Sequence, residues 1–298
     1  AWSKVQVIDP REDELSVGGL WPRATVDALK IAERPVVVLN RTGRSRLLAC
    51  GECTELVICT DCSGAMLQPT KNSLECIRCG TSRPVLCSFC LSTKMKNLRL
   101  GVARAVEELE ALLNERVTEV TKVTSSLNLQ TSRVYLGTEA VLHRIDWADL
   151  VIFADFDQEI LAKRYRGEEQ GMAQLVRAIR LVNASGKDDG NVIVQTRQPN
   201  HSLFNEIANG NIEDWNLKVT RRRDLTKYPP FGHLAVISGA AAEEFTDNLK
   251  KLNEIEVLGP NKGSWMAKAT NIKDLTGSLS KVSRPKGRLR VAIDPVRF

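Results

Sequence analysis

Outside residues 50–90 the 298-residue chain has no cysteine, and its three histidines, His143, His201 and His233, share no spacing with one another or with the cysteines. A catalytic metal site, which keeps one position open, finds no spare ligand here. Aromatic residues are 5% of the chain, so nucleobase stacking has few candidates, Phe89 and Trp265, with a core role expected for Trp265. No apolar run approaches the ~20 residues of a membrane helix, which excludes a helical membrane protein. No Gly-x-x-x-x-Gly-Lys-[Ser/Thr] phosphate loop occurs, and Gly186-Lys187-Asp188-Asp189-Gly190 reads as a turn. The sequence shows no secretion signal, and it starts at Ala1 instead of Met, as a trimmed fragment would.

What the chain does have is concentrated. All eight cysteines form four Cys-x-x-Cys pairs, Cys50/Cys53, Cys59/Cys62, Cys76/Cys79 and Cys87/Cys90. Each pair puts two thiolates on one tight turn, the knuckle that tetrahedral Zn²⁺ takes, so eight thiolates make two Cys₄ sites. Two knuckles sharing an ion need enough chain between them to fold back. Thirteen residues separate Cys62 from Cys76, whereas five separate Cys53 from Cys59. Cys59, Cys62, Cys76 and Cys79 are therefore paired on one ion and Cys50, Cys53, Cys87 and Cys90 on the other, one site nested inside the other. Gly51, Gly64 and Gly80 fall in or just after knuckles, where positive φ is expected. A disulfide framework is the blander reading, disfavoured by a large chain without a secretion signal. An iron–sulfur cluster is the other rival, but four regular pairs look more like zinc ribbons than ferredoxin runs. Closed Cys₄ sites are structural, so the metal is expected to build a surface.

The length suits two or three domains. A hydrophobic content of 43% and a charged content of 26% are ordinary for a soluble protein. Net charge +6 permits a nucleic-acid partner without requiring one. Residues 1–20 read as a connecting arm and 26–32 as a short helix. Pro35 to Asn40 reads as a buried parallel strand, followed by a basic loop with Arg41, Arg44 and Arg46. After the cysteines come a helix over 102–114, strands over 117–123, 133–137 and 150–154, a long helix over 159–184, a strand over 191–195 and a helix over 202–208. Strands alternating with helices predict a parallel sheet with helices on its faces, interrupted by the cysteine module. Arg221-Arg222-Arg223 and Tyr228-Pro229-Pro230-Phe231 mark a joint, because paired prolines end both helix and ladder. Beyond it, strands at 234–238, 265–270 and 288–293 with helices at 242–252 and 272–281 fit a small split βαβ domain. Its last stretch, 281–297, is basic.

Leu39-Asn40-Arg41-Thr42-Gly43, the four-pair insertion, Gly137-Thr138, Tyr228-Pro229-Pro230-Phe231 and Ile293-Asp294-Pro295 together resemble the C-terminal half of the PriA family of primosomal replication-restart proteins. The match runs along nearly the whole chain. It implies an α/β fold: the parallel-sheet second lobe of a superfamily 2 helicase, P-loop NTPase-like, carrying an inserted two-zinc module and followed by a small α+β domain. The boundaries become 1–48 for the linker and start of the lobe, 49–97 for the zinc module, 98–228 for the rest of the lobe and 229–298 for the last domain. The family uses the same nested zinc pairing. Its implied role is to bind stalled or forked DNA and reassemble the primosome in the cytoplasm, at the nucleoid, with single-strand DNA-binding protein and replicative-helicase loading proteins as partners and no membrane. Its cofactors are two Zn²⁺ and ATP.

The motor signatures depart from that family. Gly137-Thr138 is followed by Glu-Ala-Val-Leu, and His143 and Arg144 stand where Lys and Gly are usual. In the stretch that should read Gly-Arg-Ala-Gly-Arg, Arg177 and Arg180 keep the arginine spacing, but Val176 and Ile179 replace both glycines. That favours continued helix over a loop approaching a phosphate. An arginine finger is worth roughly 10³–10⁵ in rate, so this resembles a degenerate branch in which ATP use is doubtful. The leading expectation is a primosome-assembly protein without helicase activity of its own. The alternatives are an active 3′–5′ DNA helicase and a zinc-ribbon RNA-binding or transcription-associated protein. Arg41, Arg44, Arg46 and Arg221 to Arg223 are the candidate DNA contacts, against a solvated loop and a charged helix end. Asp155 and Asp157 are expected to be a structural strand end.

Overall fold

Continuous apolar runs such as Pro-Val-Val-Val and Leu-Val-Ile-Phe fit strands covered on both faces, and they form the centre of a parallel sheet. The computed structural model describes residues 3–12, 20–40, 47–98, 102–120, 132–162, 165–187, 190–261 and 263–295. The chain divides into two units, Ala1–Asn211 and Ile212–Phe298.

The first unit begins with β1 (Lys4–Ile8), α1 (Arg23–Ile31) and β2 (Pro35–Val38). The cysteine module follows, with β3 (Leu47–Cys50), β4 (Met66–Thr70), β5 (Ser73–Cys76), β6 (Ser82–Pro84) and β7 (Met95–Leu98). The sheet then resumes with α2 (Val102–Leu113), β8 (Val117–Val120), β9 (Val134–Gly137), a 3₁₀ turn over Glu139–His143, β10 (Leu150–Phe153), α3 (Asp157–Ile160), α4 (Gly167–Asn183), β11 (Asn191–Gln195) and α5 (Ser202–Ala208). Six strands lie in the order β1-β11-β10-β2-β9-β8, every neighbour parallel. All four residues of β2, β9 and β10 are buried.

On one face, Val26 and Leu29 of α1 and Ala105 and Leu109 of α2 pack on Val37, Leu136, Ile152 and Ile193. The amphipathic α4 supplies buried Met172, Leu175, Ile179 and Val182. Asn114, just past α2, takes φ +54°, a left-handed cap that asparagine tolerates.

Three sequence readings change. Residues 4–8 are not an arm but an edge strand beside β11; their polar Lys4 and Gln6 sit at its exposed positions. The long helix breaks into α3 and α4, and Gly167 opens α4 because a Cβ there would lie 3.1 Å from the Glu159 carbonyl oxygen. The strand at 117 ends at Val120, and residues 121–131 lie outside the described residues.

The second unit contains α6 (Ile212–Thr226), β12 (His233–Ser238), α7 (Ala242–Lys251), β13 (Glu256–Asn261), β14 (Ser264–Ala269), α8 (Ile272–Lys281) and β15 (Arg290–Ile293). Its sheet runs β13-β14-β12-β15, all antiparallel. That is the split βαβ arrangement with one more strand than the sequence indicated. β13 was masked by Gly259-Pro260, which coincides with a register shift between Leu258 and Asn261. Ala235, Ile237, Phe245, Leu249, Trp265 and Leu275 form the core, so Trp265 is buried. The Tyr228–Phe231 segment sits inside this unit, with the Lys268 Nζ 5.0 Å from the Tyr228 ring centre.

Candidate metal centre

The module is closed at its base by β3 and β7, which pair antiparallel from Leu47↔Leu98 to Cys50↔Met95. The two ends of the module therefore lie side by side. That base carries Cys50 at the end of β3, and the hairpin β4-β5-β6 lies beyond it.

All four knuckles share one backbone geometry. In each, the first cysteine's N–H donates to the carbonyl five residues on: Cys50 to Glu55 (2.8 Å), Cys59 to Gly64 (2.8 Å), Cys76 to Thr81 (2.9 Å) and Cys87 to Ser92 (2.8 Å). The first cysteine's carbonyl accepts from the residue four on, Thr54, Ser63, Gly80 and Leu91 respectively. Those four residues take positive φ, between 53° and 80°. Only one of them is glycine. Gly51 and Gly64 serve close approach instead: a Cβ on Gly64 would lie 2.9 Å from Arg78 Cβ, 3.2 Å from Cys76 Sγ and 3.3 Å from Cys62 Sγ.

The sulfurs gather into two groups, Cys50, Cys53, Cys87 and Cys90, and Cys59, Cys62, Cys76 and Cys79, with all ligand atoms of a group within 4.8 Å. These are the groups that the loop lengths pair. Individual Sγ···Sγ separations are 3.4 Å for Cys50–Cys90, 3.6 Å for Cys53–Cys87, 3.6 Å for Cys59–Cys79 and 3.5 Å for Cys62–Cys76. A disulfide would need about 2.05 Å, and all eight thiols are free. A tetrahedral metal with ~2.3 Å metal–sulfur bonds has S···S edges of about 3.8 Å, close to what is seen.

The shell around the sulfurs suits thiolates. Backbone N–H groups of Glu52, Arg78 and Phe89 donate to Cys50, Cys76 and Cys87 Sγ at 3.3–3.4 Å. Burial pushes the Cys50 thiol up, but the N–H groups of Cys53 and Glu52 outweigh it and leave that thiol at about 7. The hydroxyl and N–H of Thr81 bring Cys79 down to about 6. Burial and then neighbouring sulfurs push Cys53 and Cys62 up to about 12. Four thiolates cannot share so small a space without a cation among them. A divalent ion supplies that charge, so the residues fit two metal ions.

Two features tie the module to the sheet. Leu47, Leu56 and Ala65 pack with Leu161. Arg11, past β1, pairs with Asp9 at 2.6 Å, with Glu55 directly after the first knuckle, and donates to the Arg197 carbonyl at 2.9 Å. Neither residue carries a motif, so spacing could not have found this bridge.

The remaining candidates scatter. Arg41, Arg44 and Arg46 lie outside the described residues. Arg221, Arg222 and Arg223 are in α6, where Arg221 and Arg222 are exposed and Arg223 donates to the Pro229 carbonyl at 3.0 Å. Gly137 ends β9, where a Cβ would lie 2.4 Å from the Val120 carbonyl, and Thr138 opens the 3₁₀ turn. Arg177 and Arg180 are both exposed on α4, which continues as helix through them, with Ile179 1% exposed. The Arg177 guanidinium contacts the His143 ring.

Beside that pair, at the carboxyl end of the strands, Asn40 joins three elements. It accepts from the Glu139 N–H at 2.6 Å and donates to Glu159 at 3.1 Å and Gln174 at 2.7 Å. Asp157, 1% exposed, accepts from the Thr196 hydroxyl at 2.6 Å and the Arg197 N–H at 3.1 Å. Burial and the charge of Asp155 push its carboxyl up to about 6. It clamps the end of β11 as a strand-end residue. His201 caps α5 through the Leu203 N–H, and His233 pairs with Asp294 at 2.7 Å.

Eight curated proteins of similar sequence carry one description. Replication restart protein PriA of Haemophilus influenzae is 24% identical over 271 residues, 81% of this chain and 37% of the relative. This chain resembles PriA. The Borreliella burgdorferi PriA is 22% identical over 286 residues, covering 87% of this chain and 43% of that protein. For the Bacillus subtilis PriA the figures are 24% over 275 residues, 87% and 33%. The PriA-like region therefore spans about a third to two fifths of the length of these relatives. No family model matches the chain.

Proposed function

We propose that the chain is the PriA-like part of a replication-restart protein that binds stalled or forked DNA and promotes primosome reassembly in the cytoplasm, without unwinding DNA itself. The likeness to replication restart proteins over 81–87% of the chain carries this reading. In it, the six-stranded parallel sheet is the second lobe of a superfamily 2 motor, and the second unit is the small α+β domain that follows. Two Zn²⁺ ions occupy the Cys₄ groups and hold the knuckles in place, presenting the module to DNA and to single-strand DNA-binding and helicase-loading partners. The basic segments at 41–46 and 221–223 contact phosphates.

Three local features favour a silent motor. Ile179 is packed in the core where a loop bearing an arginine finger would need a glycine, and Arg177 is engaged by His143. Asn40, just past β2, donates to Glu159 of α3 and Gln174 of α4, leaving that part of the carboxyl edge of the sheet occupied by side chains. The test is forked-DNA binding and ATP turnover measured together on the protein that carries this chain. Fork binding with no fork-stimulated turnover is expected. Turnover of several ATP per second, or no preference for forked DNA, would overturn the proposal.

A further inference from the structure

β15 is the last strand of its sheet, and among the described residues it has one neighbour only, β12. The Asp294 N–H donates to the Leu234 carbonyl at 2.8 Å, and the register sets Ala292 opposite Val236 and Arg290 opposite Ser238. Alternation along an antiparallel pair then turns the N–H and C=O groups of Val291 and Ile293 away from β12, towards the open edge. The opposite edge of the same sheet is blunted, since β13 carries Pro260, which has no N–H, and a register shift. β15 has neither device.

The side chains match an incoming strand. Val291 and Ile293 lie opposite Ile237 and Ala235, on the face that α7 and α8 cover, yet they remain 39% and 45% exposed at its margin. Lys286, Arg288 and Arg290 are exposed at the head of the strand, and none forms an ion pair among the described residues. Arg284 is also exposed and donates to the Leu289 carbonyl at 2.6 Å. A second copy of β15 running parallel would place like charges together, and the three cations at the head of the strand select an acidic partner strand.

We infer that β15 is a docking edge for an extended segment of a partner protein in which apolar residues alternate with Asp or Glu. Bound beside β15, such a segment gains main-chain hydrogen bonds from Val291 and Ile293, covers their side chains and sets its carboxylates against Arg288 and Arg290. Single-stranded nucleic acid would use the cations but has no use for the backbone edge or the two apolar side chains.

The probe is a fluorescein-labelled peptide, Glu-Val-Glu-Ile-Asp-Val-Glu, titrated with the whole chain and followed by anisotropy. Saturable binding is expected. Val291→Pro, which removes an outward N–H and leaves the β12 ladder intact, should weaken it about tenfold or more, and the double change Lys286→Glu, Arg288→Glu should do the same. The charge variant keeps the test valid if the proline variant misfolds, and N-methylation of alternate peptide amides should abolish binding. Absence of binding, insensitivity to the charge variant and to N-methylation, or equal binding of a scrambled peptide of the same composition would overturn the inference. So would displacement of the peptide by a single-stranded oligonucleotide with binding otherwise unaffected by Val291→Pro.

Discussion

Replacing Cys76 with serine removes one sulfur from the inner group, and its consequence can be worked from where the cores lie. The module's own core consists of Leu48, Val57, Cys59, Met66, Leu74, Cys76 and Val85. The core shared by α1, α2 and the sheet includes no residue between 47 and 98. A structural Zn²⁺ ion contributes about 10–16 kcal/mol of folding free energy at neutral pH, as much as the whole stability of an ordinary domain, about 5–15 kcal/mol. Two of the seven core residues are themselves ligands, so losing the inner ion also loosens the apolar packing around Met66 and Leu74. Zinc content should fall from two ions per chain to one, and limited proteolysis should cut within residues 54–86. The sheet unit should keep its melting transition. Two ions retained by Cys76→Ser would refute the ligand assignment, and loss of the sheet transition would refute the separation of cores.

Gly64→Ala should lower affinity at the inner site without removing a ligand, because its Cβ would press on Arg78 and two sulfurs; Gly80→Ala, in open space at φ +80°, should cost only about 1 kcal/mol of left-handed strain, and competition with a chelator orders the two. Arg11→Met should leave Asp9 and Glu55 without their cation, costing about 2 kcal/mol and exposing the first knuckle to faster hydrogen exchange while zinc stays at two. Asp157, raised to about 6, binds a proton in the folded state that it does not hold unfolded between about pH 4 and 6, so its burial costs stability as pH rises through that window. Asp157→Asn should therefore lose about 1 kcal/mol of the stability difference between pH 5.5 and 7.5, read from denaturant midpoints of the two proteins.

The cysteine pattern was legible because ligand chemistry is written in residue identity and spacing, and the apolar strands at 35–38, 150–153 and 191–195 because burial on both faces leaves a run without alternation. What escaped depends on partners distant in sequence. β1 looks like a polar arm until β11 pairs with it. The helix α6 buries only Trp215 and Val219, so its apolar periodicity is too thin to see. Positive φ at Thr54, Ser63 and Leu91 was missed because glycine was taken as its marker, whereas the knuckle's hydrogen bonds impose it on whatever residue follows the second cysteine. The Arg11–Glu55 bridge joins residues brought together only when the module folds back on the sheet.

X-ray absorption at the zinc edge, with metal content measured on the same sample, tests the account at its root. Two zinc ions per chain, each with four sulfur neighbours at about 2.3 Å and no light-atom ligand, is the outcome expected from the two sulfur clusters. One ion per chain, a nitrogen or oxygen neighbour in the first shell, or iron in place of zinc would contradict it.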